Sequence, residues 1–395
     1  MNILRIVYDW PDENTFTEGL APAPYELSIS QAKLGNKIFV LCGNLNGKNL
    51  SQGKFSYQLA DGKITVYNLP RALKGFGPFL TTSIFVPFYY WYLKLTTKID
   101  LVHNHGQLGI WLLLYKYIFG FIDTTVFIGH YHITAKGRAQ ALKNQNQQIS
   151  ELALKFEYPL HELSDYLMSK VTKHNVVVSS NIGEELIKFY NLHLEKITLL
   201  ESGVDTERFS KTGEKINLDF DKGSIIIGNG GRLSKRKNID LLVKSLVFLP
   251  EHFKLLIWGT WEESFKREVD EIIKTNNLSN RIKYLGSINY FKVDKCYRAV
   301  DIFTLPSSYE GLPKVVIEAL SCGCKVLASG FEIEKEVPNL RLFSAQNLTA
   351  EGLARLILEE VNKQDNYLIT KSILDQNYSW DSKAQLLEKI YHKFI

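Results

Sequence analysis

Residues 225–242 read Ile225-Ile-Ile-Gly-Asn-Gly-Gly-Arg232-Leu-Ser-Lys-Arg-Lys237-Asn-Ile-Asp-Leu-Leu242 and combine a β-branched run, a glycine turn and a helix start. Three consecutive isoleucines are typical of a buried strand, and Asn238 followed by Asp240 is typical of a helix N-terminus. Short apolar runs of this kind alternate with longer helical patterns along all 395 residues. Since strands that alternate with helices form parallel sheets covered on both faces, the sequence predicts an α/β fold.

The chain has about eleven strand candidates, which is too many for one compact open sheet in this pattern. They lie at 3–8, 37–42, 99–103, 125–129, 175–179, 197–200, 224–228, 253–258, 281–285, 301–305 and 325–328. Two Rossmann-like, doubly wound parallel-sheet domains fit this number better. We expect an N-terminal domain at 1–201, a C-terminal domain at 202–377 and a closing helix at 378–395.

The composition is that of an ordinary globular protein, with 45% hydrophobic and 23% charged residues. It excludes collagen, a disulfide scaffold and wholesale disorder. The 47 basic and 42 acidic side chains give a net charge of +5, which is too small to indicate nucleic-acid binding. This charge is compatible with an anionic small molecule or an anionic membrane face as partner.

The four cysteines and the N-terminal segment indicate in which cellular compartment the protein is expected. The cysteines show no disulfide framework and no zinc-ligand spacing, so we expect reduced thiols in a cytosolic protein. Met1–Tyr8 reads as a buried strand and lacks the basic start and cleavage site of a secretory signal. We therefore expect a cytoplasmic protein.

A second glycine-containing loop follows a predicted strand and reads Ser307-Ser-Tyr-Glu310-Gly-Leu-Pro-Lys-Val-Val-Ile-Glu318-Ala-Leu320. Glu310 lies at the carboxyl end of that strand, where open α/β sheets bind their ligands. Gly311 has no side chain, so backbone N–H groups at the helix N-terminus can approach a ligand. Glu318 falls inside the helix, where a solvated ion pair with Lys314 is the alternative to a binding role.

Four cations crowd the glycine turn of residues 225–242, namely Arg232, Lys235, Arg236 and Lys237. Such a loop at a helix N-terminus favours a phosphate site, and the alternative is a tight turn with solvated cations. Asp219-Phe-Asp221 is a pair of the kind that holds divalent metals, but its place in a polar linker favours a solvated loop.

Two pairs of histidines follow strand candidates of the first domain, His103 with His105 and His130 with His132. Both pairs lie at carboxyl ends of strands, where ligands bind. For any single member, a structural histidine with satisfied hydrogen bonds is the favoured interpretation. The sequence contains no Gly-x-Ser-x-Gly, His-Glu-x-x-His or Cys-x-x-Cys motif.

Residues 76–131 hold 15 of the 48 aromatic side chains, including the run Phe88-Tyr-Tyr-Trp-Tyr92. The apolar stretches at 79–93 and 108–122 are shorter than the about 20 residues that a spanning helix needs. Buried helices of the first domain are the favoured interpretation, and a helix face that lies on a membrane surface is the alternative.

Together these segments resemble glycosyltransferase family 4, the retaining group 1 transferases with the GT-B fold, over nearly the whole chain. Glu310 and Glu318 match the spacing of that family's E-x7-E motif, and Arg232 and Lys237 resemble its diphosphate-binding Arg and Lys.

Three further segments bear on the resemblance. Ser202-Gly-Val-Asp-Thr-Glu-Arg-Phe209 is similar to the family's boundary motif, with serine in place of asparagine. Tyr378-Ser-Trp-Asp381 and Tyr391 resemble the closing helix that crosses back to the first domain. The family's first-loop Gly-Gly is matched only at Gly19.

The resemblance implies two domains facing across a cleft and the transfer of a sugar from a nucleoside-diphosphate sugar to an acceptor hydroxyl, with retention of configuration. It assigns the leaving diphosphate to Arg232 and Lys237, the transferred sugar to Glu310, the ribose to Glu318, and the sugar or acceptor to His130. Further implied donor-binding residues are Gly311, Leu312, Gly231 and Gly19.

This scheme requires no cofactor and no metal, because the nucleotide sugar is a substrate. The implied partners are that donor and a sugar or lipid-linked acceptor in cell-surface glycan or glycolipid synthesis, with no nucleic acid. A peripheral contact with the cytoplasmic face of the membrane is a further expectation. Two alternatives remain open: a nucleotide-sugar epimerase of the same architecture and a non-catalytic sugar-nucleotide binding protein.

Overall fold

The computed structural model describes residues 1–8, 10–11, 22–43, 56–70, 82–144, 158–308, 310, 312–333 and 336–395. These residues form two compact units, each built on its own sheet. The first unit contains the described residues up to Glu201 together with Lys383–Ile395, and the second contains Ser202–Ser382. The predicted fold class, two α/β domains with parallel sheets, is confirmed.

The first unit has an eight-stranded sheet made of β1 (Asn2–Val7), β2 (Lys37–Cys42), β3 (Ser56–Leu59), β4 (Ile64–Asn68), β5 (Leu101–His105), β6 (Val126–Tyr131), β7 (His174–Val177) and β8 (Ile197–Leu199). The strand order is β3-β4-β2-β1-β5-β6-β7-β8, and among the described strands only the β3–β4 pair is antiparallel. The helices are α1 (Pro22–Lys33), α2 (Phe85–Thr96), α3 (Ile110–Phe119), α4 (Ala135–Asn144), α5 (Tyr158–Val171) and α6 (Ser180–Tyr190). The chain order reverses between β1 and β5, which makes their carboxyl ends the switch point where such sheets bind ligands.

The two faces of the first sheet differ in chemistry although both are buried. Leu4 and Val102 point to one face, where they pack with side chains of α2, α3, α5 and α6 in the hydrophobic core. Because side chains alternate along a strand, the next residues, Arg5 and His103, point to the opposite face. Both are fully buried there. The sheet therefore carries a polar, water-excluded row on one side.

The second unit has a six-stranded parallel sheet made of β9 (Ile225–Gly230), β10 (Phe253–Trp258), β11 (Ile282–Tyr284), β12 (Ile302–Leu305), β13 (Lys325–Ala328) and β14 (Leu340–Leu342). The order is β11-β10-β9-β12-β13-β14, so its switch point lies between β9 and β12. The helices are α7 (Ile239–Ser245), α8 (Glu263–Thr275), α9 (Asp294–Arg298), α10 (Lys314–Ser321), α11 (Ala350–Val361), α12 (Tyr367–Asn377) and α13 (Trp380–Tyr391). From Lys383 onward, α13 belongs to the first unit.

All eleven predicted strands are present, each within about two residues of its expected position. Three strands were not predicted, namely β3, β4 and β14. Two of these, β3 and β14, are edge strands of only four and three residues. Length alone does not explain the miss, because β8 and β11, with three residues each, were predicted.

The aromatic segment forms α2, which is buried on one side and exposed on the other. Tyr90 and Leu93 are fully buried in the core, as the favoured interpretation predicts. Phe88, Tyr92 and Leu95 are exposed, and Leu95 keeps 81% of its surface accessible. Among the described residues, no helix is both long and apolar enough to cross a membrane.

Candidate active site in the second unit

Two loops of the second unit are joined at its switch point, one after β9 and one after β12. The Asn238 side-chain amide donates to the Pro306 carbonyl at 2.8 Å and to the Ser308 hydroxyl at 3.1 Å. The Ser308 backbone N–H donates to the Arg236 carbonyl at 2.9 Å. Asn238 also starts α7 as predicted, with φ +49° in the left-handed region. The glycine turn and the Glu310 loop are therefore held together at one edge of the sheet.

Lys237 is the buried cation of this edge. Only 7% of its surface is exposed, and Nζ lies 3.4 Å from the Gly230 carbonyl oxygen. Gly231 has φ +95°, and a Cβ there would come within 3.2 Å of Nζ. The turn thus needs glycine at 231 both for its backbone conformation and for the space that Lys237 occupies. The result is a fixed positive charge beneath the turn.

Arg232, the other predicted phosphate ligand, is in a different environment. Its side chain is 75% exposed, and Nη2 lies 3.5 Å from a carboxylate oxygen of Glu262. Lys235 is similarly exposed and lies 3.5 Å from Glu268. Exposed ion pairs of this length hold a side chain only weakly. The structure therefore fixes Lys237 and leaves Arg232 at the surface.

Glu310 lies in the loop after β12 and is held by two partners. The Ser307 hydroxyl donates to Oε1 at 3.0 Å, and Arg236 Nη1 lies 2.9 Å from the same oxygen. The Glu310 carboxylate is only 13% exposed. Arg236 is thus a site residue that sequence reasoning did not single out among the four cations. Nothing in the Lys-Arg-Lys run distinguishes it, because its role comes from a carboxylate 74 positions away.

Glu318 lies inside α10 and is buried, with 5% of its surface exposed. The Tyr297 hydroxyl donates to its Oε2 at 2.8 Å. Burial first, and then the neighbouring Glu318 carboxylate, raise the pKa of Tyr297 well above its ordinary value, so the phenol keeps its proton. The alternative of a solvated Lys314–Glu318 pair is wrong, because the carboxylate faces a buried phenol. Glu318 is a held hydrogen-bond acceptor one turn into the helix.

Leu312 is half-buried and precedes Pro313, the residue that caps α10. Two predicted donor-binding residues, Gly19 and Gly311, lie outside the described residues. Asp219 is 84% exposed and pairs with Lys283 at 2.8 Å, as expected of a solvated loop. The four cysteines are free and buried. Burial raises the pKa of the Cys296 thiol to about 12, so this sulfur is protonated and unreactive at neutral pH.

His130 lies in the first unit, at the carboxyl half of β6. The parallel register places it directly beside His105, and both are almost fully buried. Neither ring nitrogen of His130 has a hydrogen-bond partner among the described residues. Burial, together with the nearby His132, His103 and Arg5, lowers the pKa of His130 well below its ordinary value. The prediction of a satisfied structural histidine therefore fails for His130.

Two family models match consecutive parts of the chain. Residues 19–208 match the family described as Glycosyltransferase Family 4, and residues 210–390 match Glycosyl transferases group 1. A curated relative from Campylobacter jejuni, named N-acetylgalactosamine-N,N'-diacetylbacillosaminyl-diphospho-undecaprenol 4-alpha-N-acetylgalactosaminyltransferase, is 27% identical over 56% of this chain and 57% of its own length. The chain thus spans little more than half the length of this curated relative.

Solved structures align over the whole chain. Sucrose-phosphate synthase from Thermosynechococcus elongatus gives a TM-score of 0.75 at 18% identity, covering 100% of this chain and 99% of the other. Anabaena HepE in complex with UDP and glucose gives 0.67 at 18% identity, covering 100% of both chains. At 18% identity, the similarity to these solved structures shows the fold. The two family models show the family. The chain belongs to the group 1 glycosyltransferases of family 4.

Proposed function

We propose that this protein transfers a sugar from a nucleoside-diphosphate sugar to an acceptor hydroxyl, with retention of configuration. The observation that carries the proposal is the edge of the second sheet, where buried Lys237, the held Glu310 and the buried Glu318 lie on joined or adjacent segments. Ligands of open α/β sheets bind at such switch points. In support, the structure of the neighbour HepE is a complex with UDP and glucose.

The diphosphate is the group that needs fixed positive charge. As the bond to the sugar breaks, negative charge develops on the leaving phosphate, and a cation oriented in advance stabilises that charge without reorganisation. Lys237 has this property in the structure, since it is buried beside the Gly231 turn. Arg232 is exposed and would close over the phosphates from the surface. The N-terminal partial charge of α10 adds to the field.

The two carboxylates have separate roles in this scheme. Glu318 accepts hydrogen bonds from the ribose hydroxyls, for which Tyr297 keeps it in place. Glu310 orients hydroxyls of the transferred sugar, together with backbone amides near Gly311 and Leu312. Retention follows if the departing phosphate removes the acceptor's proton on the face it leaves. His130 is the residue of the first unit that we assign to the sugar or acceptor, and no metal or cofactor takes part in the transfer.

The exposed surface of the first unit bears on the chemical nature of the acceptor. Exposed apolar side chains lie on α2 and just after α3, and we call them the apolar tip: Phe88, Tyr92, Leu95, Phe121 and Ile122. A cavity of about 510 Å³ beside the end of α3 is lined by Lys116, Lys170 and Lys173. Apolar groups next to a cluster of lysines fit an anionic membrane surface. We propose a lipid-linked acceptor at the cytoplasmic face of the membrane, in line with the undecaprenol named for the Campylobacter relative.

Transfer is tested by incubating the purified chain with nucleoside-diphosphate sugars, with and without sugar or lipid-linked acceptors. Release of nucleoside diphosphate only when an acceptor is present supports transfer, and the anomeric configuration of the product tests retention. Turnover of donor to an isomeric nucleotide sugar without acceptor would establish an epimerase instead. Donor binding without any turnover would leave a binding protein. A thermal-shift screen selects the base first, because a ligand at 100 times its Kd adds about 2.7 kcal/mol of stability.

A further inference from the structure

Three histidines of the first unit share an unusual state. His103, His105 and His130 are buried on the polar face of the sheet, and each has at least one ring nitrogen without a hydrogen-bond partner among the described residues. These nitrogens are Nε2 of His103, Nε2 of His105 and both nitrogens of His130. A buried polar atom without a partner costs stability, so such a group calls for an explanation. The transfer scheme above uses only His130.

The three rings are close enough to share one ion. One ligand nitrogen from each lies within 4.8 Å of the other two. The ring centroids are 4.3 Å apart for His103–His105, 4.4 Å for His105–His130 and 5.2 Å for His103–His130. Zinc–nitrogen bonds of about 2.0–2.1 Å put two ligands of a tetrahedral site about 3.3 Å apart. The ligand nitrogens therefore need to approach one another by up to about 1.5 Å, through rotation of the side chains.

The remaining nitrogens of two of these rings are already held. Nδ1 of His103 lies 2.5 Å from the Tyr391 hydroxyl, and Nδ1 of His105 lies 3.2 Å from Nε2 of His132. Histidines that bind metals usually donate their second N–H to such a partner, which fixes the ring and its tautomer. If each Nδ1 carries the proton, both Nε2 atoms present lone pairs to the cluster. The surrounding hydrogen bonds thus leave free the nitrogens that a metal needs.

The charge state of the cluster also suits a metal. Burial lowers the pKa of all three imidazoles well below the ordinary value, with contributions from the neighbouring histidines and Arg5. They are therefore neutral, the form that binds metals. Arg5 disfavours a protonated ring and, for the same reason, weakens the binding of a cation nearby. Its guanidinium is turned toward α1, where it donates to Ser28, Gln31 and the Pro24 carbonyl.

We propose that His103, His105 and His130 form a binding site for a divalent transition metal of zinc's type. Imidazole is a preferred ligand of zinc, and three such ligands leave one tetrahedral position open to water or a hydroxyl. A consequence that rests on the proposed function is inhibition. Because His130 is assigned to the sugar or acceptor, a metal bound to its ring withdraws it from that task.

The site is tested on the full chain without a polyhistidine tag, by equilibrium dialysis against micromolar zinc followed by metal quantification. We expect about one equivalent in the wild type and less than a tenth of that in His105→Gln and His103→Gln. The matched control is His174→Gln, a buried histidine of the neighbouring strand β7 that pairs with Thr198 at 2.8 Å. This control should bind zinc like the wild type.

A wild type that binds less than a tenth of an equivalent overturns the site, as does undiminished binding by folded His105→Gln and His103→Gln. If neither variant folds, cobalt in the wild type decides. An intense visible absorption from tetrahedral, nitrogen-ligated cobalt supports the site, and the weak spectrum of hydrated cobalt contradicts it. These readouts need no activity, so they stand apart from the proposed function. Zinc binding without inhibition would uphold the site and remove His130 from the sugar.

Discussion

Arg232 and Lys237 lie in one loop, yet their side chains have opposite surroundings. The sequence identifies both from their positions after the glycine turn, because a cation at a helix start is a local signal. It does not reveal that Lys237 is buried. That burial depends on the backbone of Gly231, whose positive φ folds the turn over the ammonium group. The difference between the buried Lys237 and the exposed Arg232 therefore comes from the folded loop, and the local sequence does not reveal it.

We expect Lys237→Ala and Arg232→Ala each to lower kcat by on the order of 10²–10³, as the loss of one charge-stabilising group typically does. The measurement is steady-state kinetics at saturating donor. Lys235→Ala is the matched control, since Lys235 is an exposed cation of the same loop that pairs with Glu268. Its kcat should stay close to that of the wild type. Wild-type rates in both test variants would rule out the diphosphate role.

Arg236 is a positioning residue in this scheme, because it acts through the Glu310 carboxylate at 2.9 Å. We expect Arg236→Gln to lower kcat several-fold while the KM for the donor changes little, since a sugar contact made in the transition state is loosened. Arg236→Lys, which keeps the charge, should recover part of the loss. A kcat equal to that of the wild type in Arg236→Gln would show that the ion pair has no part in orienting Glu310.

Glu318→Gln should chiefly raise the KM for the donor, whereas Glu310→Gln should chiefly lower kcat. The first loses uniform binding of the ribose, and the second loses a contact that matters in the transition state. Glutamine keeps an acceptor oxygen for the Tyr297 hydroxyl, so the buried helix should stay folded. Equal effects of the two substitutions on both constants would refute this division. The partner of Glu318 was not predictable from sequence, because Tyr297 comes from another helix.

At the level of elements, the strands β9 and β12 that precede the two site loops could be predicted, whereas β3, β4 and β14 could not. Each of the two loops follows a strongly apolar strand and ends in a recognisable helix start. The edge strand β14 pairs with β13 across 14 positions, whereas β3 and β4 form a local hairpin around residues 60–63. The local pattern therefore identified the strands that bear the site and missed one short hairpin and one edge strand, since strand propensity depends strongly on context.

Asp123 ties α2 to the segment between α3 and β6. Asp123 is buried and accepts hydrogen bonds from the Tyr90 hydroxyl and the Thr125 backbone N–H. It also forms an ion pair with Lys94. Burial raises the pKa of Asp123, but the bonds from Lys94, Tyr90 and Thr125 outweigh it and bring the pKa down to about 2. Because the pKa of Asp123 is lower in the folded protein than in the unfolded chain, its ionised carboxylate stabilises the fold when the pH is above the unfolded pKa. This stabilisation is lost as the pH falls toward the folded pKa of about 2.

We therefore expect Asp123→Asn to lower the free energy of urea unfolding by about 2 kcal/mol at pH 7, with a smaller difference from the wild type at pH 3. Asp375→Asn is the control, because Asp375 pairs with Lys371 on an exposed helix face. Such pairs contribute about 0.5 kcal/mol or less. A difference between Asp123→Asn and the wild type that does not change with pH would show that the carboxylate charge is unimportant.

At the scale of the whole molecule, α13 links the two ends of the chain. The Tyr391 hydroxyl lies 2.5 Å from Nδ1 of His103, and the Gln31 amide donates to Glu388 at 3.0 Å. These partners are more than 280 positions apart in sequence. The polar face of the first sheet is therefore complete only after the last residues of the chain have packed onto the first unit. Contacts between residues so far apart in sequence form slowly during folding.

The apolar tip leads to a prediction about where the whole protein binds. We expect the wild type to co-sediment with phosphatidylglycerol vesicles and to be released by salt, since lysines near an anionic surface contribute about 1 kcal/mol each. Leu95→Ser with Phe121→Ser should abolish most binding, because both side chains are about four-fifths exposed and would enter the interface. Lys170→Glu with Lys173→Glu should weaken binding at low salt by roughly tenfold or more.

Leu368→Ser with Ile369→Ser is the matched control for this prediction, because it removes an exposed apolar pair of the second unit, where Leu368 is 81% exposed. If general hydrophobicity drove sedimentation, this variant would lose binding as much as the tip variant does. If instead the tip and its lysines form the membrane-facing surface, only the first-unit substitutions act, and thermal unfolding stays unchanged because all these side chains are exposed. A protein that ignores anionic vesicles and uses a soluble sugar as well as any lipid-linked one would leave the apolar tip without a membrane role.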